Sequence, residues 1–407
     1  MTRPKQISNI QSNCRSFAAV LTIVFALAFA VTPAVQAQTY TVIHNFTGTE
    51  GGYPDAGLTL DKGGNFYGTA SGGGTYGRGT VFKLSHIGSG WTLAPLYSFS
   101  GYGDGANPLA PVTIGPDGSL FGTTIGGADG TGTLFNLKPP PTRPPSVVSP
   151  WKLTVLHTFT GGYDGDQPVY GRLIFDAEGN LYGTTWFGGS GSFGIAYEET
   201  PSANGWTENI LYDFSLPTNG PLAGVVRDSS GNLFGTTGDG SAVFELSPSG
   251  SGWVLNILHT FTGQDGSLAY GGLVMDPAGN LYGASSRGGA GGDYGGVVYQ
   301  LSPYGDTFAF NVIYNLPGAV GPRGDMTLDT AGNLYGLGNG DGVNSAGMVF
   351  KLMPSNGSWT LTDLHDFNFD TEYFPYGNVT IDANGNLWGT TSQGGAYSKG
   401  VIWEITP

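Results

Sequence analysis

The sequence is nearly free of cysteine. Its one cysteine, Cys14, lies before the first apolar run, so the rest of the chain has no thiol for a disulfide bond or a thiolate metal site. Charged residues are also scarce, at 11%, while aromatic residues reach 13%. Disordered chains show the opposite balance, so we expect a folded protein. The patterns G-x-S-x-G and H-E-x-x-H are both missing. No motif therefore indicates an α/β-hydrolase or a zincin protease.

Helical patterns are lacking beyond the N-terminal leader. No stretch after residue 37 keeps an apolar helical period for ten positions without a Gly or Pro break. Glycine is abundant instead, at 72 of 407 residues. Segments rich in Val, Ile, Thr and aromatics alternate with Gly, Asp and Pro, which predicts many short strands joined by tight turns.

The N-terminus has the pattern of a signal peptide. Three cations precede an uncharged apolar run at 17–31, and the small-residue sequence Val35-Gln36-Ala37 follows it. The run is short for a bilayer span and is followed by Pro33, which disfavours the alternative of a retained membrane anchor. We therefore expect cleavage after Ala37, a secreted, periplasmic or cell-surface protein, and no later transmembrane segment.

The chain expected after cleavage is strongly acidic. Removal of the three leader cations, Arg3, Lys5 and Arg15, leaves 12 of the 15 cations against 30 acids, for a net charge of −18. Such a field repels phosphate backbones and anionic lipids. Nucleic acid is therefore not an expected partner, and neither is an anionic membrane.

A ten-residue stretch, D-x-x-G-N-L-Y-G-T-T in its commonest form, recurs seven times. Successive copies begin 48 to 61 residues apart, and a period near that length indicates a propeller, solenoid or array. The copies occupy 61–70, 115–124, 176–185, 228–237, 276–285, 329–338 and 382–391.

Each repeat reads as four short strands, and the chain ends predict how the repeats close. Residues 38–46 match the fourth strand of a repeat, whereas the last repeat stops at its third strand, 400–405. Pairing of these two segments would close a ring without exposed edges. We predict one domain at 38–407, an all-β, seven-bladed propeller of four-stranded antiparallel blades, with a Pro-rich loop insertion at 138–150. A monomer is the expected state.

Two sets of periodic polar residues are interpreted as structural. Asp in D-x-x-G-N accepts bonds from nearby backbone N–H groups in tight turns, and catalytic residues are rarely repeated around a ring. Four histidines share one fourth-strand position with tyrosines, which do not replace a zinc-ligating His. The aspartates are Asp61, Asp176, Asp228, Asp276, Asp329 and Asp382, and the histidines are His44, His157, His259 and His365.

Loops after the second and fourth strands differ between blades, and recognition tends to lie in such loops on a rigid scaffold. They carry aromatic and charged residues that the repeat does not require, which suit a glycan, peptide or surface-protein ligand. The candidate ligand-binding residues are Tyr163, Asp166, Trp186, Phe187, Arg287, Arg323, Asp370 and Tyr373. No cofactor is expected, although Asp164 and Asp166 resemble part of a calcium loop.

The ordered segments D-x-x-G-N-L-Y-G-T-T, G-G, G-x-V-F-x-L and W-T-x-x-x-L-Y-x-F resemble the bacterial GloVer tandem repeat over nearly all of 38–407. The resemblance implies an exported repeat protein, and that family supplies no catalytic residues. Departures include Gly115, Ser119, Phe308 and the segment IAYEE at 195–199.

Two functions remain open from the sequence. The first is a non-catalytic extracellular binding or scaffolding module. The alternative is a metal-dependent propeller enzyme similar to lactonases and lyases, whose blades also carry D-x-x-G-N-L-Y. That alternative needs carboxylates or amides converging on a cation in the central channel.

Overall fold

The computed structural model describes residues 38–407 except 128–129, 141–149, 204, 217–219, 239–241, 251, 291–294, 319–320 and 341. The predicted signal peptide lies outside the described residues, as does most of the Pro-rich loop. One compact unit spans Tyr40–Thr406. Its strands form seven four-stranded antiparallel sheets and one two-stranded ribbon, Glu372–Tyr373 with Gln393–Gly394. The predicted seven-bladed all-β propeller is confirmed.

The blades are numbered 1 to 7 in chain order, and each has four strands, which follow the sequence order in blades 1 to 6. The first strands are Thr59–Leu60, Thr113–Ile114, Ile174–Phe175, Val226–Arg227, Val274–Met275, Thr327–Leu328 and Thr380–Ile381. The second strands are Phe66–Ala70, Leu120–Thr124, Leu181–Thr184, Leu233–Thr236, Leu281–Ser285, Leu334–Gly338 and Leu387–Thr391. The third strands are Thr80–Ile87, Thr133–Lys138, Ile195–Ser202, Ala242–Ser249, Val297–Tyr304, Met348–Ser355 and Val401–Thr406. The fourth strands are Gly90–Ser98, Lys152–Thr158, Gly205–Asp213, Gly252–Thr260, Thr307–Asn315, Ser358–Asp366 and, for blade 7, Thr39–Asn45.

The core consists of apolar clusters between neighbouring blades. The aromatic residue of each second strand packs onto the next blade: Tyr67 of blade 1, for example, joins Leu120 and Phe135 of blade 2. The following glycine makes room for an aromatic ring of its own blade, because a Cβ on Gly68 would lie 2.5 Å from the ring of its cross-strand partner Phe82. In the repeated Y-G pair the tyrosine therefore packs between blades, and the glycine accommodates a ring within the blade.

The N-terminal strand closes the ring. Thr39–Asn45 is hydrogen-bonded to the third strand of blade 7, Val401–Thr406. The amide of Phe46 donates to the carbonyl of Gly400 at 3.1 Å. Hydroxyl bonds also cross the seam between blades 7 and 1: Thr380 donates to the Leu58 carbonyl at 2.6 Å, and Thr390 donates to the Ala56 carbonyl at 2.9 Å. The closure predicted from the chain ends is thus present.

The repeated aspartates form tight turns between first and second strands. The Asp329 carboxylate accepts from the amides of Ala331 and Asn333, from the Asn333 side chain and from the Tyr335 hydroxyl, at 2.7–3.1 Å. Burial opposes ionisation, but these bonds lower the pKa of the Asp329 carboxyl. The turn interpretation of D-x-x-G-N is confirmed at this position.

Three of the four periodic histidines, His44, His157 and His259, hydrogen-bond a carboxylate in the loop after the fourth strand. His44 contacts Glu50 at 3.1 Å, and His259 contacts Asp265 at 2.9 Å. In blade 1 the equivalent Tyr97 donates to Asp104 at 2.9 Å. These ring-carboxylate contacts pin loops on the scaffold, as a repeated structural device would.

The first strands line the central channel, and they are linked directly. Thr59 donates to the Val112 carbonyl at 2.6 Å, and Thr113 donates to the Leu173 carbonyl at 2.6 Å. Loops after the second and fourth strands meet at one end of this channel, which is called the loop face below. Within the residues that the structure describes, no helix is long and apolar enough to cross a membrane.

Candidate ligand site at the channel mouth

Seven residues at one repeated position surround the mouth of the channel on the loop face. Each lies four positions before the start of a first strand, so the repeat itself directs it to the axis. A cavity of about 500 Å³ is bounded by all seven and by Trp186. The seven are Asp55, Leu109, Tyr170, Leu222, Tyr270, Arg323 and Tyr376.

Arg323 is held between two tyrosine rings. Its guanidinium lies 5.4 Å from the ring centre of Tyr270 and 5.8 Å from that of Tyr376, in the loops before blades 5 and 7. Such cation–π contacts orient a cation without using up its hydrogen bonds. The side chain is exposed, so its N–H groups are available to a ligand in the cavity.

Asp55 supplies the acceptor at the mouth. The Ser71 hydroxyl donates to one of its carboxylate oxygens at 2.6 Å. Burial raises the pKa of Asp55 to about 6, a rise that the bond from Ser71 opposes. A carboxyl with a strongly perturbed pKa in a cavity is a candidate functional group.

Trp186 extends the aromatic wall from the second-to-third-strand loop of blade 3. Its ring stacks on Phe187, with centroids 4.4 Å apart and an interplanar angle of 25°. Phe187 in turn exchanges two backbone hydrogen bonds with Asp166, at 2.8 and 3.0 Å. These contacts fix the indole at the mouth, which pre-organises the site.

A polar layer forms the floor of the cavity. Asp325 and Asn378 bound both the mouth cavity and a second cavity of about 870 Å³ towards the opposite end. Asp325 accepts from the Gly272 amide at 2.7 Å, and Arg172 donates to the Asn378 side-chain oxygen at 3.4 Å. Burial raises the pKa of the Asp325 carboxyl, and the Arg172 charge opposes that rise. The axial layer therefore contains its own cation.

The structure brings only some of the predicted residues together. Trp186 and Arg323 line the same cavity. Phe187 stacks on Trp186, and Asp166 is hydrogen-bonded to the backbone of Phe187. Tyr163 is 74% exposed and does not line the mouth. Three further candidates also lie outside its lining: Arg287, Asp370 and Tyr373.

Sequence reasoning missed Asp55 and three tyrosines at the mouth. Tyr170, Tyr270 and Tyr376 each precede a glycine shortly before a first strand. That repeated Tyr-Gly pair was the available signal. Selection by variability between loops does not detect a position that several repeats share.

The resemblance of Asp164 and Asp166 to part of a calcium loop stays a prediction. The Asp164 carboxylate accepts from the Thr160 amide at 3.0 Å and contacts His157 at 3.2 Å. One Asp166 carboxylate oxygen is buried without a partner, and burial raises the pKa of that group. The first aspartate thus resembles the loop-pinning acids of the other blades.

Fold and site together define a seven-bladed β-propeller with an aromatic cavity at one end of its channel. The chain belongs to the Gloeobacter/Verrucomicrobia repeat family, whose model matches residues 25–242 and 221–407. No curated protein matches it in sequence.

Two solved structures resemble the chain in fold. A candidate 6-phosphogluconolactonase from Bacteroides uniformis has a TM-score of 0.51 at 14% identity, over 77% of this chain and 84% of that one. A fungal alcohol oxidase of the AA5 family, solved with copper, has a TM-score of 0.55 at 15% identity, over 91% of this chain and 76% of that one. At such identities the likeness extends to the fold alone.

Proposed function

We propose that this protein is an exported, non-catalytic propeller that binds neutral oligosaccharides at the mouth of its channel. The observation that carries the proposal is the cavity of about 500 Å³ with four aromatic side chains and one guanidinium in its wall. Its size is within the ~300–1,000 Å³ typical of small-molecule sites. Export is supported by the leader pattern of residues 1–37.

The wall matches the two kinds of surface that a pyranose presents. Aromatic rings cover the C–H face of a sugar, and Tyr170, Trp186, Tyr270 and Tyr376 supply such rings. Hydroxyl groups on the sugar rim need hydrogen-bond donors and acceptors. Arg323 provides donors, and the Asp55 carboxylate provides acceptors. The site is therefore amphipathic in the way that a carbohydrate is.

The overall charge favours a neutral sugar over an acidic one. After loss of the leader, 12 cations face 30 acids. The resulting negative field repels a polyanionic chain such as a polyuronate, and the repulsion is strongest at low salt.

Binding is favoured over metal-dependent catalysis by the composition of the axial layer. A catalytic cation on the axis needs several oxygen ligands without a competing positive charge. Here Arg172 donates to Asn378 and is the electrostatic partner of Asp325. The Arg172 guanidinium thus supplies the positive charge that a metal ion would supply in the lactonase-type alternative.

A glycan array tests the proposal. The purified chain from residue 38, labelled on its surface amines, is applied to immobilised cello-, xylo-, manno- and malto-oligosaccharides. We expect retention on one of these series, loss of retention in Trp186→Ala, and full retention in Tyr163→Ala. Tyr163 is the matched control because it is an exposed aromatic residue on the loop face outside the mouth.

Two results would contradict the proposal. One is no retention on any neutral series. The other is retention with release of shortened sugars, since shortened sugars would show that the protein hydrolyses its ligand.

A further inference from the structure

Blade 3 carries two glutamates at a cross-strand position where five other blades carry apolar pairs. Glu199 on the third strand pairs directly with Glu208 on the fourth. The same cross-strand pair is apolar in blades 1, 2, 4, 5 and 6, where it is Leu84–Leu93, Leu137–Leu153, Leu246–Leu255, Leu301–Phe310 and Leu352–Leu361. Glu199 belongs to the IAYEE segment that departs from the repeat. Blade 3 therefore places two carboxylates in a position built for packing.

The Glu199 side chain is buried without any hydrogen bond. It is 1% exposed, and neither of its carboxylate oxygens has a partner. One oxygen of Glu208 is likewise buried and unpartnered. Buried carboxylates are normally paired with a cation or a donor, because the charge is costly to remove from water. No described side chain lies within hydrogen-bond distance of these three carboxylate oxygens.

A histidine and a third carboxylate face the two glutamates. His157, at the end of blade 2, has its two ring nitrogens 3.8 Å from Glu199 and 3.8 Å from Glu208. Asp164, in the loop that joins blades 2 and 3, contacts His157 at 3.2 Å. In blade 4 the equivalent His259 stacks flat on Phe310, which occupies the position of Glu208. Only at the junction of blades 2 and 3, within the described residues, do such groups converge.

We propose that His157, Glu199 and Glu208 bind one divalent transition-metal ion of the zinc type between blades 2 and 3, with Asp164 orienting the His157 ring. One imidazole nitrogen and carboxylate oxygens suit Zn²⁺, Mn²⁺ or Fe²⁺, and no thiolate biases the site towards softer ions. The ion neutralises carboxylates that the packing has removed from water.

The donor atoms already lie close together. One ligand atom from each of His157, Glu199 and Glu208 lies within 4.8 Å of the others. Ligands at about 2.1 Å from a tetrahedral zinc ion are roughly 3.4 Å apart, so small side-chain rotations complete the geometry. Burial also raises the pKa of Glu199 to about 7, and burial with the charges of Glu199 and Asp164 raises that of Glu208 to about 8. Burial thus favours the neutral form of both carboxyl groups, and a bound cation would favour the ionised form instead.

The site would act as a clasp between two blades. His157 belongs to blade 2, the two glutamates belong to blade 3, and Asp164 lies in the connection. A bound ion would therefore stabilise the folded ring, because metal binding to the native state alone shifts the unfolding equilibrium. The clasp is separate from the channel mouth and does not depend on the sugar-binding proposal.

Metal content and melting temperature test the clasp. Tag-free protein is dialysed against EDTA, freed of chelator and titrated with ZnCl₂ by calorimetry, with elemental analysis of the washed protein. We expect about one tightly bound zinc per chain and a higher melting temperature with metal. Cobalt substitution should give visible d–d absorption in the wild type.

Three variants and a matched control locate the site. Glu199→Gln and His157→Gln should abolish stoichiometric binding and the thermal shift. The double change Glu199→Leu with Glu208→Leu restores the pair used by other blades, so it should fold, bind no zinc and melt above the metal-free wild type. His259→Gln, at the equivalent histidine of blade 4, should keep wild-type binding.

Absence of stoichiometric zinc in the folded wild type would overturn the inference. Unchanged binding in Glu199→Gln would also overturn it, since the ion would then lie elsewhere.

Discussion

The guanidinium of Arg323 lies 5.4 Å from the ring centre of Tyr270, in the loop of the preceding blade. The two residues occupy the same position in consecutive repeats, four residues before a first strand. Ring closure thus converts a repeated position into a cluster around the axis. The relation links the propeller geometry directly to the proposed sugar site.

Replacement of Arg323 is the first test of that cluster. Arg323→Gln keeps a polar side chain but removes the charge-assisted donors, which are worth about 1.5–3 kcal/mol in hydrogen bonds. We expect the affinity for the array-selected oligosaccharide to fall about 10- to 100-fold by calorimetry, with little change in melting temperature. Arg287→Gln, an exposed arginine outside the mouth, is the control and should bind as the wild type does. Equal loss in both variants would point to non-specific charge effects.

Asp55 should give the folded protein a measurable dependence on pH. The pKa of the Asp55 carboxyl rises from 3.8 to about 6 on folding. Its favourable contribution to the free energy of unfolding is therefore complete below pH 3.8 and is lost as the pH rises through about 6. Each pKa unit corresponds to about 1.4 kcal/mol, and solvent at the mouth reduces that value. Asp55→Asn should therefore be more stable than the wild type at about pH 8, by up to ~3 kcal/mol, with the difference shrinking towards about pH 4.

Urea unfolding of both proteins across this range measures the effect. Asp370→Asn is the control, because Asp370 is exposed in a loop outside the mouth. A stability difference between wild type and Asp55→Asn that does not change with pH would contradict the assignment.

The seam of the ring should depend on residues 38–46. Phe46 is fully buried and packs against Phe82 of blade 1 at 5.3 Å, and Tyr40 stacks on His365 of blade 6 at 3.7 Å. Burial of side chains of this size stabilises by about 1.5–3 kcal/mol each. Deletion of 38–46 should lower the melting temperature strongly and expose two sheet edges that promote association. Differential scanning calorimetry and light scattering check both effects, and an unchanged, monomeric deletion variant would refute the closed ring.

The D-x-x-G-N turns should matter for stability and not for binding. Asp329→Ala removes the acceptor for the amides of Ala331 and Asn333, at a cost of about 1–3 kcal/mol. Oligosaccharide affinity should stay within about twofold of the wild type, because the turn lies on the face opposite the mouth. Loss of binding without loss of stability in Asp329→Ala would place the ligand site on the face of the D-x-x-G-N turns and contradict the proposed site.

Much of the fold was predictable from the sequence because the repeat constrains it many times over. Seven copies of one turn and strand gave the blade count, and the match of 38–46 to a fourth strand gave the closure. Trp186 and Arg323 were predicted because they lie in loops that differ between blades. These signals are local in the sequence.

The rest of the site depends on geometry that the sequence does not display. Tyr170, Tyr270 and Tyr376 are far apart in the chain and meet only because the ring brings equivalent positions to the axis. The pairing of Glu199 with Glu208 requires strand register, and their approach to His157 requires the packing of blade 3 on blade 2. The same packing buries these carboxylates, and their burial is what makes them candidate metal ligands.

The central claim is that the channel mouth holds the ligand. Its most direct test is a crystal structure of the protein soaked separately with cellotetraose, xylotetraose, mannotetraose and maltotetraose. We predict electron density for one of these sugars across the rings of Trp186, Tyr270 and Tyr376, with a sugar hydroxyl within hydrogen-bond distance of Arg323. Density confined to the face of the D-x-x-G-N turns, or an empty mouth at saturating concentrations of all four sugars, would contradict the account.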